Sequence, residues 1–158
     1  MAVRVDPAVT AIACAILCIL AAARLSGGIY EMIVLDRAWP SNPEIIKPQS
    51  GGADRKGFWI TLNALFDCTL IGTLWLAWHS RAQDALLAAL ALYSLMRVWS
   101  LTYFIPVARA IEQGALIGSD LDGTALLWVR RNRFRVTLDF GTLIAASTAA
   151  TALWSVRP

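Results

Sequence analysis

Four stretches of this chain stay apolar for about the 20 residues that a helix needs to cross the hydrocarbon of a bilayer. Nothing else in the sequence restricts the fold as strongly. They run over about 7–35, 58–78, 85–106 and 134–154. Lipid offers no water to an unpaired peptide group, so each stretch must be helical. The second and third are joined only by residues 79–84, too short for anything but a hairpin. The pattern predicts an all-α, integral membrane four-helix bundle in antiparallel up-down-up-down order, one domain over 1–158. Hydrophobic residues make up 58% of the chain and charged ones 16%, against about 45–50% and about 25% in ordinary soluble domains. The excess is more than a core of this size can absorb, so the lipid bilayer is the expected partner of the outer surface.

The connections are unlike one another. Residues 36–57 hold Pro40, Pro43, Pro48 and Gly51-Gly52, which oppose regular structure and predict a loop at the membrane surface. Residues 107–133 read as an amphipathic connection, with a helical extension to Gly114 and a capping-box-like Ser119/Asp122 that starts the fourth helix near Asp122. Pro7 suits a first helical turn, and the first span reads as a retained helix although Ala21-Ala22-Ala23 resembles a signal-cleavage site. Trp39, Trp59, Trp78, Trp128 and Trp154 fall near span ends as interface anchors, whereas Trp75 and Trp99 fall deeper and are expected inside the bundle. Cys14, Cys18 and Cys68 lie in apolar runs and read as buried, inert thiols.

Lys and Arg counts orient the chain. The first and third connections carry Arg37, Lys47, Arg55, Lys56, Arg109, Arg130, Arg131 and Arg133, and the other side carries Arg4, Arg81 and Arg157. This predicts both termini outside and the long loops in the cytoplasm, with a bacterial inner membrane as the default location. The net charge of +3 is explained by those topology signals and gives no reason to expect nucleic acid as a partner.

Six ionisable residues fall inside the spans: Arg24, Glu31, Asp67, Arg97, Arg135 and Asp139. Each costs about 2.5–3.5 kcal/mol at mid-bilayer on insertion scales, so three acids and three bases predict mutual compensation. Asp67 and Arg97 each lie about 14 Å from the same face, at a rise of about 1.5 Å per residue, and are expected to pair. Asn63 and Asp67, Tyr93 and Arg97, and Arg135 and Asp139 are spaced four apart, so each pair shares a helix face. Together with Glu31, Tyr103 and Asn132, they predict a polar layer in the cytoplasmic half. Such a layer suits a ligand site and equally a lock between helices. Gly27-Gly28 permits close helix packing, or room for a ligand beside Glu31.

Much chemistry is excluded. His79 is the sole histidine, so neither a bis-histidine haem nor a His-rich metal centre fits. There is no phosphate-binding glycine loop and no nucleophile elbow. No metal or other cofactor is expected. What remains is acid–base and oxyanion chemistry by Asp, Glu, Tyr and Arg.

Trp128-Val-Arg-Arg-Asn132-Arg-Phe-Arg135, Tyr103-Phe-Ile-Pro106 and Gly27-Gly28-Ile-Tyr30-Glu31, on four short spans, resemble the anthrone-oxygenase-like domain of unknown function. That family includes cofactor-independent oxygenases of polycyclic phenols. The resemblance implies an apolar aromatic ligand entering from the membrane, with Asn132 and Arg135 carried over and Asp139 one turn deeper. Asp139 or Glu31 would then act as base, and Arg135 or Arg97 would hold the resulting anion. Two other classes stay open: an accessory or assembly subunit of a larger membrane complex, and a small transporter, the latter needing a homo-oligomer because no inverted repeat is present. A cavity lined by Glu31, Asn63, Arg97 and Asp139 would favour the ligand site.

Overall fold

The computed structural model describes residues 6–116 and 118–154. Among them, four helices are long and apolar enough to cross a membrane: α1 (Pro7–Ala38), α2 (Arg55–Leu76), α3 (Gln83–Glu112) and α4 (Gly118–Trp154). No strand occurs among the described residues. In no helix is more than 33% of the most apolar window buried. Side chains such as Ile19, Ile71 and Phe140 point outward, a surface compatible with an integral membrane protein. Arg4 and Arg157, used above to orient the chain, lie outside the described residues.

The helix starts follow local chemistry. The Asp6 carboxylate accepts from the Ala8 N–H at 2.8 Å, ahead of Pro7. Asp54 does the same for α2 by accepting from the Gly57 N–H at 3.1 Å. Two helices run further than their apolar lengths. α1 continues past Leu35 to Ala38, so Asp36 is helical and buried rather than the first residue of a loop. α4 already begins at Gly118, ahead of Asp122, and the segment 118–133 belongs to the helix rather than to a connection. α3 passes through Pro106. Proline removes one helical hydrogen bond and crowds the carbonyl four residues back. The turn before it, Ser100–Phe104, is widened to a π turn, a common way for a helix to absorb such a defect. α1 holds a second π turn at Glu31–Leu35.

α4 packs along both α1 and α3, while α2 packs on α1 and only sparsely on α3. Two cores result. One is apolar and contains Leu17, Phe66, Leu70, Leu86, Ala89 and Ala146. The other gathers Trp39, Ile46, Phe104, Ile111, Ala125 and Trp128. Gln49 adds a hydrogen bond from its side chain to the Glu112 carbonyl at 3.0 Å, so the connection after α1 touches the end of α3.

Several side chains sit otherwise than the sequence predicts. Trp39 and Trp128 are not interface anchors: both are buried and stacked edge to face with centroids 6.0 Å apart. Trp75 is 69% exposed and faces out of the bundle. Cys68 is likewise exposed on α2, whereas Cys14 is buried and Cys18 half-buried. Depth along a helix places a residue in the membrane but does not say which way it points.

Candidate functional site

The polar layer forms three linked clusters. The first centres on Arg24, 1% exposed, which donates to Asp139 Oδ1 at 2.7 Å and to Asn63 Oδ1. Its guanidinium lies over the neighbouring rings of Phe66 and Tyr93, 4.9 and 4.6 Å from their centroids. Ring faces favour a cation most where water is excluded. α1 and α4 approach closely because residue 28 is glycine: a Cβ there would lie 3.3 Å from Val136 Cγ2 and 3.8 Å from Asp139 Oδ2. A Cβ on Gly27 would lie 3.0 Å from the Phe58 ring. Both glycines therefore serve helix packing rather than ligand space.

The second cluster centres on Glu31. One carboxylate oxygen accepts from Arg55 and from the Trp59 indole, both at 2.8 Å, and the other accepts from Arg135 at 2.8 Å. Arg135 stacks over Trp59 and Phe104 at 5.1 and 5.4 Å. The third centres on Asp36, which accepts from Trp39 and Trp128 at 3.2 Å and from Asn132 at 2.6 Å. Its partners are neutral donors, so hydrogen bonds replace an ion pair.

The expected Asp67–Arg97 pair does not form: among the described residues no ion pair joins them. Asp67 instead accepts from the Tyr93 hydroxyl. Equal depth brought the two to one level, but the sparse α2–α3 contact leaves them on opposite walls of a gap. That gap is a cavity of about 470 Å³, within the usual size range of small-molecule sites. Asn63, Asp67, Arg97, Arg135 and Asp139 line it, with Arg24, Trp59 and Trp128. Glu31 does not line it, because Arg55, Trp59 and Arg135 enclose its carboxylate. This removes Glu31 as a base for a bound ligand. Asn132 is turned to Asp36, and Tyr103 lies under the Arg131 guanidinium at 4.2 Å. Neither reaches the cavity. Tyr93 lines an adjoining, smaller cavity of about 300 Å³.

Sequence reasoning missed Asp36, placed in a loop, and Arg55, counted only as a topology charge. A signal existed for the first: an acid one turn beyond Glu31, followed by Trp39, matches a chain whose fourth span offers Trp128 and Asn132. Among the described residues no group of three His, Cys, Asp or Glu side chains is arranged to hold a metal.

No family model matches the chain, and neither does any curated protein or solved structure.

Proposed function

We propose that this protein is an integral membrane protein of the bacterial inner membrane that binds an apolar aromatic molecule with an acidic ring hydroxyl in the α2–α3 cavity. The observation that carries the reading is the cavity itself, half-lined by rings and apolar side chains, with Arg97 unpaired by any acid among the described residues. The helices run up-down-up-down and antiparallel in this reading. The short 77–82 turn between α2 and α3 and the Gln49–Glu112 contact support that order. Both termini lie outside, and the cavity opens in the cytoplasmic half.

The resemblance to anthrone-oxygenase-like proteins extends the reading to a reaction with molecular oxygen. Asp139 lines the cavity and gives only Oδ1 to Arg24, so Oδ2 is the acceptor for a ring-methylene proton. Arg97 holds the resulting anion. Oxidation of the methylene to a carbonyl consumes one O₂; one oxygen atom enters the product and the other leaves as water, with the two hydrogens lost from carbon.

Binding of an anthrone-type polycyclic phenol tests this. Saturable quenching of Trp59 and Trp128 is expected, weakened at least tenfold by Arg97→Gln, together with uptake of one O₂ per carbonyl formed. Wild-type protein that shows no saturable quenching overturns the ligand site. Quenching without oxygen uptake overturns the oxidation alone. A cysteine placed at Ser50 should be labelled only from the cytoplasmic side; labelling from outside in intact cells overturns the orientation.

A further inference from the structure

The wide cavity continues into the smaller one, and their shared walls are Asp67, Arg97 and Leu101. The two differ in chemistry. The wide one is lined by six bases, Arg24, Arg55, Lys56, Arg97, Arg109 and Arg135, against three acids, Asp67, Glu112 and Asp139. Its excess is cationic. The smaller cavity is a groove of Leu70, Ile71, Leu90 and Val98 around Tyr93 and Ser94. Ile71 and Val98 are 65% and 58% exposed. The groove therefore faces the hydrocarbon that surrounds the helices, along the sparsely packed α2–α3 seam.

Resting on the phenol-site reading, we propose that the ligand carries a hydrocarbon tail: its acidic ring sits among the arginines of the wide cavity, and its tail leaves between Asp67 and Arg97 along the α2–α3 groove into lipid. Charge complementarity fixes the ring end, and continuity of the two cavities fixes the exit. A hydrocarbon chain finds Leu70, Ile71, Leu90 and Val98 as apolar as the bilayer it comes from, so the tail exchanges lipid for groove at little cost. Tyr93 takes the Asp67 carboxylate aside, which leaves the Arg97 charge at the junction facing the incoming anion. The ligand class is thus an alkyl or prenyl phenol resident in the membrane.

The test uses the full chain in phospholipid nanodiscs and an alkyl phenol with a diazirine at the tail's end. Photolysis is expected to label peptides bearing Ile71, Leu90 and Val98, at least fivefold above peptides bearing the outward-facing Ile19 and Phe140. Ser94→Trp, which fills the groove, should cut the groove labelling at least fivefold. The untailed phenol, titrated on the same variant, reports whether the wide cavity is intact. Labelling spread evenly over the outer faces, or unaffected by Ser94→Trp in protein that still binds the untailed phenol, overturns the tail path and leaves the ring site standing. Failure of the untailed phenol to bind wild-type protein overturns both.

Discussion

The α1–α4 interface and the α2–α3 seam draw on the same side-chain types and use them in opposite ways. Between α1 and α4, Arg24 meets Asp139, Glu31 meets Arg135 and Asp36 meets Asn132. Each acid has its donors and the glycine at 28 brings the backbones together, so the ion pairs close this interface and only its edge, at Arg24, Arg135 and Asp139, borders the cavity. Between α2 and α3, Asp67 and Arg97 stand at one level without joining, and the space between them is the cavity. A buried charge that is fully paired locks helices, and removing its partner is expensive. A charge that stays half-buried beside a cavity keeps its field available to whatever enters. The lesson is that an intramembrane arginine has to be judged by its partners as well as by its depth.

The largest effect that tests this contrast comes from Asp139→Ala. It strands the Arg24 guanidinium, and breaking a buried pair costs about 3–5 kcal/mol. Folded yield in detergent should collapse, and replacing Arg24 with Met in the same chain should restore much of it. A double variant no better than the single one breaks the idea of a lock. Glu31→Gln should cost less, about 1.5–3 kcal/mol for one lost bond to a charged group, read as a lower unfolding temperature, because the amide oxygen still accepts on one side, from Arg55 and Trp59 or from Arg135, while its NH2 cannot accept on the other. Arg97→Gln should change stability by about 0.5 kcal/mol or less, as for sites away from paired networks, while ligand binding falls. If it destabilises the bundle as much as Asp139→Ala does, the two interfaces do not differ.

The smallest effect lies outside the membrane. The Lys47 ammonium donates to Glu44 at 2.7 Å, and this bond holds the Glu44 carboxyl below its ordinary range. A depressed acid stabilises the fold above its unfolded value, and the contribution fades as pH falls through the depressed one. Glu44 is exposed and solvent-screened, so Lys47→Ala should lower the unfolding temperature only slightly at neutral pH. The difference from wild type should vanish in strong acid, where Glu44 is protonated in both proteins.

Apolar length made the four helices readable, because a bilayer imposes that length whatever the sequence does elsewhere. Helical spacing made the polar layer readable too: Asn63, Asp67, Arg97, Arg135 and Asp139 do meet around one cavity. The pairings were not readable. Depth fixes one coordinate of a side chain, while the rotation of each helix about its axis depends on how all four pack. Hence Arg24 takes Asp139 and Asn63, and Asp67 takes the Tyr93 hydroxyl in place of Arg97. Asp36 was hidden for another reason. Pro40 and Pro43 mark the end of a helix only to within a few residues, and its carboxylate lies inside that margin, against Trp128 from the far end of the sequence. Arg55 was hidden because a basic residue beside a loop reads first as a topology signal.

The π turn at Glu31–Leu35 gives chain length some slack there. A wide turn uses about one residue more than an α turn, so deleting one of Met32, Ile33 or Val34 would let it close to α geometry with Asp36 and Trp39 still facing Trp128 and Asn132. In a regular α-helix, where each residue turns the chain by about 100°, the same one-codon loss would rotate everything after it away from its partners.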